Sequence, residues 1–468
     1  MRTARPQTPF PARHPQKQMK SLIAAIALFV PFASAAIAKA PNIVFILADD
    51  QSWSGTSVPM IPGKDFSKSK QFQTPNIERL AAQGMTFSQA YAAHCKCECS
   101  RAAIQMGRTT TSLNAPDKGS RNWSAPVSDS LVNTLKRANP AYRAAHLGKW
   151  QWFHTPQSMG YDVSDGITMN EDGDSRDPED PKLSFSITRR ANAFMETQVK
   201  EGHPFYLQLS YYAVHNQPQA LASTLKKYEG QGGGRGDRAV MAAMTEDFDT
   251  CIGVVLKKLD DLHIADNTLI IYMSDNGGRT EVLAGGKGNL GEGGLRVPLI
   301  VRVPGMKGGG YSNEPVISYD IFATVLDFAA PGFALPKGTE GGSWKPVLSG
   351  SAGKVKRPID RFVFHQAVEV DHPQSAIRKG DFKLLYYWDT REAMLFDLAK
   401  DLSEEHNLAK EKPEVAAQLQ KELKDHIRAG LGEQTFAAME SGKFDQRGRP
   451  VGGGGKPRDG KRRPLPAP

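Results

Sequence analysis

Three of the chain's four cysteines lie at alternate positions in one short segment that runs directly into an arginine. The segment is YAAHCKCECSRAAIQMGR, residues 91–108, and it holds Cys95, Cys97 and Cys99 ahead of Arg101. A structural zinc site usually takes two cysteine pairs with two or more residues between partners, a spacing that this segment lacks. A disulfide between positions i and i+2 of an extended chain has the wrong geometry. The pattern therefore predicts one functional cysteine, and the spacing alone leaves open which one.

Two acidic pairs follow two apolar, strand-like runs. Asp49 and Asp50 end the run NIVFILA, and Asp275 and Asn276 end the run LIIYMS. Ligands of open parallel sheets bind at the carboxyl ends of the strands, so neighbouring strands would bring these four side chains together. Hard cations such as Ca²⁺ and Mg²⁺ take oxygen ligands of this kind. The alternative is that each pair is a turn or a helix cap.

The elements that must position these residues alternate along the chain. The continuous apolar run Asn42–Ala48 predicts a strand buried on both faces. A helix follows it, with Thr74 as N-cap, Pro75 at the first position and Gly84 as terminator. Alternating strands and helices predict an α/β fold whose mostly parallel sheet is covered by helices on both faces. Further strands are predicted at 204–212, 267–274 and 297–303, with a long amphipathic helix over 241–259.

The C-terminal part has a different pattern, beginning around residues 354–358. The stretches SAIRKGDFKLLYYW and AMLFDLAKD predict short antiparallel strands, and apolar spacing predicts a helix from Pro413 to Arg428. These elements predict a smaller α+β subdomain. Beyond Gly430 the chain is rich in glycine, proline and arginine, a composition typical of disorder.

The overall composition is that of a soluble globular enzyme, with 40% apolar and 23% charged residues among 468. The net charge of +9 would favour anionic ligands, but basic residues concentrate in the segment after Ser441. We therefore predict no nucleic-acid partner, and peripheral membrane contact is not indicated either.

The N-terminus contains a segment typical of a secretory signal, MKSLIAAIALFVPFASAAIAKA, from Met19 to Ala40. Its apolar core, Leu22 to Phe32, is shorter than the ~20 residues that span a membrane. We expect translation to start at Met19, cleavage after Ala38 or Ala40, and export to the periplasm or the medium. The alternative is a retained signal anchor.

The chain resembles the formylglycine-dependent type I sulfatases, an arylsulfatase-like group of the alkaline-phosphatase-like superfamily. Their signature is Cys or Ser, any residue, Pro, any residue and Arg, followed by an apolar helix ending in Gly-Arg. Counting back from Arg101 places the modified residue at Cys97. The resemblance runs from Pro41 to about Arg428 through PNIVFILADD, TPNIERLAAQGMTFSQAYA, LGKW, PFYLQLSYYAVH, ADNTLIIYMSDNGG, KGNLGEGGLRVPLIVRVPG, AIRKGDFKLL and LFDLAKDLSEEHNLA.

The resemblance implies that a formylglycine-generating maturase oxidises Cys97 to Cα-formylglycine. One oxygen of the hydrated aldehyde attacks sulfur and displaces the alcohol, and the second hydroxyl then expels sulfate as the aldehyde re-forms. Calcium, rather than magnesium, binds an oxygen of the formylglycine and one of the sulfate. Its implied ligands are the modified Cys97, Asp49, Asp50, Asp275 and Asn276.

The resemblance also implies roles for four basic residues. Arg101, Lys149 and Lys287 correspond to cations that hold the formylglycine and the sulfate oxygens. His215 corresponds to the residue that protonates the leaving oxygen. Taken singly, the structural alternatives are the more common case. They are a helix-start arginine paired with an acid for Arg101, a solvated loop cation for Lys149 and a strand-end histidine for His215. The predicted domain limits are a signal at 1–40, a catalytic domain at 41–355, a C-terminal subdomain at 356–430 and a disordered tail at 431–468.

Two positions depart from the family pattern. Cys99 stands where the family has proline, so the site fits the more permissive radical-type maturases better than a maturase that requires Cys-x-Pro-x-Arg. Gln151 stands where the family has a histidine that contacts the hydrated aldehyde and acts as the base that expels sulfate. Glutamine cannot accept a proton at neutral pH, and His154 or His94 are candidate substitutes.

The resemblance implies a sulfatase, and export together with the basic residues favours a sulfated saccharide over an aryl sulfate as substrate. One alternative is a phosphonate or phosphate ester hydrolase of the same superfamily. Another is a non-catalytic protein that binds sulfated glycans.

Overall fold

The computed structural model describes residues 40–113, 125–230, 237–350, 353–367, 370–445 and 449–450. The predicted signal segment therefore lies outside the described residues, apart from Ala40. Among the described residues, no helix has both the length and the apolarity needed to cross a membrane.

Strands and helices alternate along the first three quarters of the chain, as the sequence predicts. The strands are β1 Asn42–Ala48, β2 Met85–Phe87, β3 Ala90–Tyr91, β4 Arg143–Gly148, β5 Val163–Ser164, β6 Phe205–Ser210, β7 Thr268–Ser274, β8 Leu299–Arg302, β9 Gly310–Ser312, β10 Val316–Ile317, β11 Phe362–Gln366, β12 Gln374–Lys379, β13 Phe382–Tyr387 and β14 Ala393–Asp397. The helices are α1 Pro75–Gln83, α2 Cys97–Met106, α3 Leu131–Ala138, α4 Ser184–Glu201, α5 Ala222–Gly230, α6 Asp237–Asp261, α7 Glu292–Leu295, α8 Asp320–Ala329, α9 Lys345–Leu348, α10 Pro413–Leu431 and α11 Glu433–Glu440.

The main sheet is mixed and mostly parallel. Within the described residues its strand order is β5-β4-β6-β1-β7-β8-β2-β9. The five strands from β5 to β7 run parallel, whereas β8 is antiparallel to both of its neighbours, β7 and β2. This arrangement confirms the predicted fold class.

Helices cover both faces of the main sheet, and the side chains of β1 show this directly. Ile43, Phe45 and Leu47 point into a core that includes residues of α2, α3 and α8. Val44 and Ile46 point into the opposite core, built with α1, α4 and α6. Because side chains alternate along a strand, an all-apolar strand of this kind requires cover on both sides.

The start of α1 differs from the sequence expectation. Thr74 is the N-cap residue, but its side chain makes no capping bond to the helix and accepts the Ser57 N–H at 2.9 Å instead. The cap comes from Asp249 of α6, whose carboxylate accepts the Asn76 N–H at 3.0 Å and the Ile77 N–H at 2.8 Å. A carboxylate from a distant helix thus satisfies the first N–H groups of α1.

We expect Asp249→Ala to lower the free energy of unfolding by about 2–3 kcal/mol, because it leaves buried N–H groups at the start of α1 without partners. Asp261→Ala on the same helix removes only an exposed pair with Lys257 and should leave the free energy of unfolding almost unchanged. Urea denaturation of the two variants measures the difference. Equal losses in both variants would contradict the assignment of the cap.

The C-terminal sheet is antiparallel, in the order β11-β12-β13-β14. Val363, Ile377 and Leu384 lie on one face and pack against α10. Residues of the other face share a core with Tyr91 and Ile317 of the main body. The predicted subdomain of strands and a helix is present, and the predicted limit between residues 355 and 356 stays a prediction.

Buried charges connect this sheet to the main body. The Glu292 carboxylate at the start of α7 lies 2.9 Å from Lys383 Nζ on β13 and 2.7 Å from Arg296 Nε. Lys383 also lies 2.8 Å from Glu404, and all four side chains are buried. Because removing one partner would leave an uncompensated buried charge, the cluster fixes the segment that leads from Lys287 into α7.

The predicted disordered tail was placed too early, because residues 431–445 are ordered. Helix α10 continues to Leu431, and α11 follows directly with Phe436 and Met439 buried. The ring of Phe436 packs edge-on against Trp388, with centroids 5.9 Å apart. The glycine and arginine content of the segment predicts disorder, but the spacing of Phe436 and Met439 lets both side chains be buried on one face of α11. Residues 451–468 lie outside the described part of the chain.

Candidate active site

The two acidic pairs meet at the carboxyl edge of the main sheet. β1 and β7 are parallel neighbours, and their last residues, Ala48 and Ser274, pair directly. Asp49 and Asp275 are therefore the next residues on each strand, and the Asp50 N–H donates to Asp275 Oδ1 at 3.2 Å. The structure therefore brings these side chains together, as the sequence predicts.

The backbone at this edge is closely packed. Asp50 has a φ of 60°, a left-handed conformation that is uncommon for residues other than glycine, asparagine and aspartate. Gly278 must be glycine, because a Cβ there would lie 2.0 Å from the carbonyl oxygen of Asp50. The second glycine of the sequence DNGG thus allows the β7 loop to approach Asp50 closely.

Helix α2 begins at Cys97 and brings its sulfur to the acidic edge. Cys97 Sγ lies 3.4 Å from Asp49 Oδ1 and 3.5 Å from Asp50 Oδ1. Donor atoms of Asp49, Asp50, Cys97 and Asp275 all lie within 4.8 Å of one another. Cys95 instead faces Gln366 of the C-terminal sheet, and all four cysteines are free thiols. The structure therefore brings Cys97, rather than its neighbours, to the candidate site.

Arg101 and Lys149 form the buried cationic side of the site. Arg101 lies one turn after Cys97 on α2, with Nε 2.8 Å from Asp275 Oδ2 and Nη1 2.6 Å from the Lys149 carbonyl. Lys149 follows β4, and its Nζ lies 2.5 Å from Asp49 Oδ2. Its side chain is fully buried, which excludes the alternative that it is a solvated loop cation.

Lys287 and His215 form the more open side. Lys287 Nζ lies 2.6 Å from Asp50 Oδ2, and about a third of its side chain is exposed, 34%. His215 Nε2 lies 3.6 Å from the same oxygen. Nδ1 of His215 contacts the backbone carbonyl of Asn216, so Nδ1 carries a hydrogen and donates it. All nine predicted site residues therefore lie in one cluster.

Burial and charge shift the pKa values in this cluster. Burial raises the pKa of the Cys97 thiol well above its usual range, and Asp275 adds to the effect. Burial lowers the pKa of Arg101 and Lys149, but Asp275 and Asp49 more than offset it, so both pKa values are raised. Both groups therefore stay cationic beside the acidic edge.

The residues at this edge fit a hard divalent cation. Asn276 Nδ2 donates to Asp50 Oδ1 at 2.7 Å, while the buried Asn276 Oδ1 has no hydrogen-bond partner among the described residues. An unsatisfied carbonyl oxygen beside three carboxylates is the donor set that Ca²⁺ prefers. Burial raises the pKa of Asp275, and a bound cation would favour its ionised form.

The histidines proposed to replace Gln151 are differently placed. Gln151 is buried with a φ of 54°, and its Oε1 has no partner among the described residues. Both ring nitrogens of His94 are engaged, with Lys96 N–H at 3.1 Å and the His365 carbonyl at 2.8 Å. Burial lowers the pKa of His94 to about 4. His94 is therefore a structural histidine, whereas the half-buried His154 packs its ring against Trp152 and Phe153.

Sequence reasoning overlooked a second polar layer behind the cations. A small cavity beside Arg101 and Lys149 is also lined by Gln105, His146, Trp150, Trp152 and Gln208. His146 Nε2 contacts Ser210 Oγ at 3.0 Å, and Gln105 Nε2 donates to Gln208 Oε1 at 2.9 Å. In the sequence, this layer is indicated only by polar residues at inward positions of otherwise apolar strands, such as Gln208 in FYLQLS.

Comparison with known families agrees with this geometry. A family model described as sulfatase matches residues 41–331. A second model, described as the C-terminal part of N-sulphoglucosamine sulphohydrolase, matches residues 287–430. The two matches overlap across the segment that contains Lys287, which contributes to the site.

Individual relatives give the same result. The chain is 27% identical to a sulfatase of Formosa agariphila, over 84% of this chain and 88% of that protein. It is 29% identical to human N-acetylgalactosamine-6-sulfatase, over 62% of each chain. Among solved structures, Ps i-CgsB in complex with k-i-k-neocarrahexaose superimposes with a TM-score of 0.70 at 25% identity, covering 83% of this chain and 92% of that one.

The fold and the site define a hydrolase of the alkaline-phosphatase-like superfamily. The chain belongs to the sulfatase family, as a type I sulfatase, because the family model matches more than half of its length. Its activity is that of a sulfuric ester hydrolase.

Proposed function

We propose that this sulfatase removes sulfate from a saccharide, with a formylglycine made from Cys97 and a calcium ion held by Asp49, Asp50, Asp275 and Asn276. The observation that carries the proposal is the position of Cys97 Sγ, 3.4 and 3.5 Å from two of the predicted calcium ligands. A nucleophile and a cation that act on the same sulfate must lie this close. When present, the hydrated aldehyde supplies the attacking oxygen, and calcium draws electron density from the sulfate.

The charges of the site support an anionic substrate. Arg101, Lys149 and Lys287 each lie against one of the three carboxylates, so the charges of these six side chains balance. A divalent cation then makes the site positive and favours a sulfate ester. The buried guanidinium and ammonium groups stabilise negative charge on the sulfate oxygens, more strongly than in water because they are desolvated.

We infer that His215 donates the proton to the leaving oxygen. Its Nδ1–H donates to the Asn216 carbonyl, so the free nitrogen that faces the site is Nε2. In the imidazolium form Nε2 carries the proton that the leaving alcohol needs as the S–O bond breaks. Sugar alcohols are poor leaving groups, so this protonation matters more for a saccharide than for an aryl sulfate.

Two relatives support a saccharide substrate. One is named for a sulfated N-acetylgalactosamine, and one solved structure holds a neocarrahexaose.

The test is a comparison of substrates on protein produced together with its maturase. We expect calcium-dependent hydrolysis of nitrophenyl sulfate, with kcat/KM at least about 100-fold above that for nitrophenyl phosphate or phosphonate. Sulfated oligosaccharides should release sulfate under the same conditions. Faster phosphonate hydrolysis would establish the phosphonate hydrolase instead, and saccharide binding without sulfate release would establish a non-catalytic binder.

Gln151→His is expected to raise kcat about tenfold, because a base at this position would assist the expulsion of sulfate, a step in which general base catalysis contributes ~10²–10⁴-fold. Pre-steady-state kinetics should show the gain in the phase after alcohol release. The matched control is Gln157→His, the same change at an exposed position six residues later, which should leave kcat unchanged. A wild-type rate in Gln151→His would show that sulfate expulsion does not depend on a base at this position.

We further propose that the chain is exported to the periplasm or the medium after cleavage behind Ala38 or Ala40. The support is the signal-like segment from Met19 to Ala40. N-terminal sequencing of the mature protein tests this: a start at Lys39 or Pro41 is expected, and an intact segment in a membrane fraction would indicate a retained anchor.

A further inference from the structure

Lys182 is a buried lysine that none of the roles above uses. It lies immediately before α4, with its side chain 1% exposed. Its Nζ donates to Asp174 Oδ1 at 2.6 Å and to the Asn216 carbonyl oxygen at 3.4 Å. A buried ammonium group requires such acceptors, and these two lie on different loops.

The carbonyl of Asn216 joins Lys182 to the candidate general acid. The same oxygen accepts the Nδ1–H of His215. This bond fixes the tautomer and the plane of the imidazole, and with them the direction of Nε2, which lies 3.6 Å from Asp50 Oδ2. Any shift of the Asn216 carbonyl would therefore turn Nε2 away from the site.

Gln219 closes the same two loops at a second point. Its Oε1 accepts the Ser175 N–H at 3.0 Å and the Lys182 N–H at 3.1 Å, and its Nε2 donates to the Ser175 carbonyl at 3.0 Å. One side chain from each loop, Lys182 and Gln219, therefore connects residues 174–183 to residues 215–219.

The backbone of the first loop is held in an unfavourable conformation. Lys182 and Leu183 have φ values of 54° and 53°, and neither is glycine. Consecutive left-handed residues persist only where surrounding contacts determine them, and such residues cluster at functional sites. Here the contacts of Lys182 and Gln219 hold the backbone in this conformation.

We propose that Lys182 and Gln219 position His215 for proton donation, an inference that rests on the proposed function. Neither residue touches the substrate. Through the Asn216 carbonyl they keep the His215 Nε2–H directed at the leaving oxygen, so that the proton reaches this oxygen as its bond to sulfur breaks. Their contribution should therefore depend on how much the leaving group needs a proton.

The decisive variant is Lys182→Met, which keeps the aliphatic stem and removes the ammonium. On a sulfated sugar we expect kcat to fall about 10–100-fold with little change in KM, since general acid catalysis is worth ~10²–10⁴-fold. On nitrophenyl sulfate, whose leaving group needs no proton, kcat should fall less than about threefold. Lys227→Met removes a surface lysine that pairs with Glu246 and should leave both rates unchanged.

A double-mutant cycle separates positioning from general destabilisation. If Lys182 acts through His215, Lys182→Met should have no further effect on kcat in a His215→Ala background. Additive losses, or equal losses on the two substrates, would overturn the proposal. Gln219→Leu removes the second tie without removing a charge, and it should show the same substrate dependence if Lys182→Met fails to fold.

A second measurement does not depend on activity. In ¹⁵N-histidine spectra of the full chain, assigned with His215→Ala and recorded at an alkaline pH where the imidazole is neutral, the His215 ring should carry its one proton on Nδ1 in the wild type and show a mixture of tautomers in Lys182→Met. An unchanged ring signal would overturn the proposal even if the protein hydrolyses no sulfate. Conversely, a wild-type enzyme without sulfate hydrolysis would contradict the proposed function alone.

Discussion

Cys97→Ala is expected to lower kcat for every sulfate ester by at least about 10⁴-fold, because it removes the residue that becomes the nucleophile. The sulfur lies 3.4 and 3.5 Å from Asp49 and Asp50, two of the proposed calcium ligands. Calcium binding should weaken only modestly, since Asp49, Asp50, Asp275 and Asn276 remain. Initial rates on nitrophenyl sulfate and calorimetric calcium titration measure the two effects separately.

The matched control is Cys251→Ala. Cys251 is an equally buried free thiol, but it packs in the core under α6, away from the acidic edge. Its replacement should leave kcat within about twofold, although it creates a small cavity and costs some stability. Sulfatase activity that survives Cys97→Ala would eliminate the proposed nucleophile.

Asp275→Asn is expected to weaken calcium binding by at least about 100-fold and kcat/KM by about 10³-fold. The substitution removes one carboxylate of the proposed ligand set and also the buried partner of Arg101, which lies 2.8 Å away. Wild-type protein in calcium at 100 times Kd should gain about 2.7 kcal/mol of stability, and the variant should lose most of this gain. Thermal unfolding with and without calcium gives the comparison.

Asp260→Asn is the control for charge alone. Asp260 pairs with Arg79 on the surface of α6, with both side chains well exposed. Its replacement should leave calcium affinity and kcat/KM unchanged. If Asp275→Asn bound calcium with wild-type affinity, the proposed ligand set would be wrong.

Much of the site could be predicted from the sequence because its residues follow directly from strands that are easy to recognise. The apolar run Asn42–Ala48 predicts a buried strand, and the acids after it must then lie at the carboxyl edge. Arg101 is one helical turn from Cys97, so the local spacing also places their side chains near each other. The family resemblance added Lys149, Lys287 and His215, whose positions no local pattern determines.

Other features depend on contacts between residues far apart in the sequence. The α1 cap comes from Asp249 rather than Thr74, across 173 positions. The acidic segment EDGDSRDPEDPK predicts that Lys182 lies at the surface. In the structure its side chain is buried and contacts the Asn216 carbonyl. Packing of Phe436 on Trp388 orders a segment whose composition is typical of disorder. In each case, tertiary structure supplies the partner that the local sequence lacks.

The most direct test is peptide mass spectrometry of the segment containing Cys97, on protein produced with its own maturase. Cys99 replaces the proline of the usual signature, so this measurement also decides whether the maturase accepts the site. The account predicts the mass of the aldehyde or its hydrate at position 97, with Cys95 and Cys99 unmodified. An unmodified thiol at position 97 in a protein that nevertheless hydrolyses sulfate esters would contradict it.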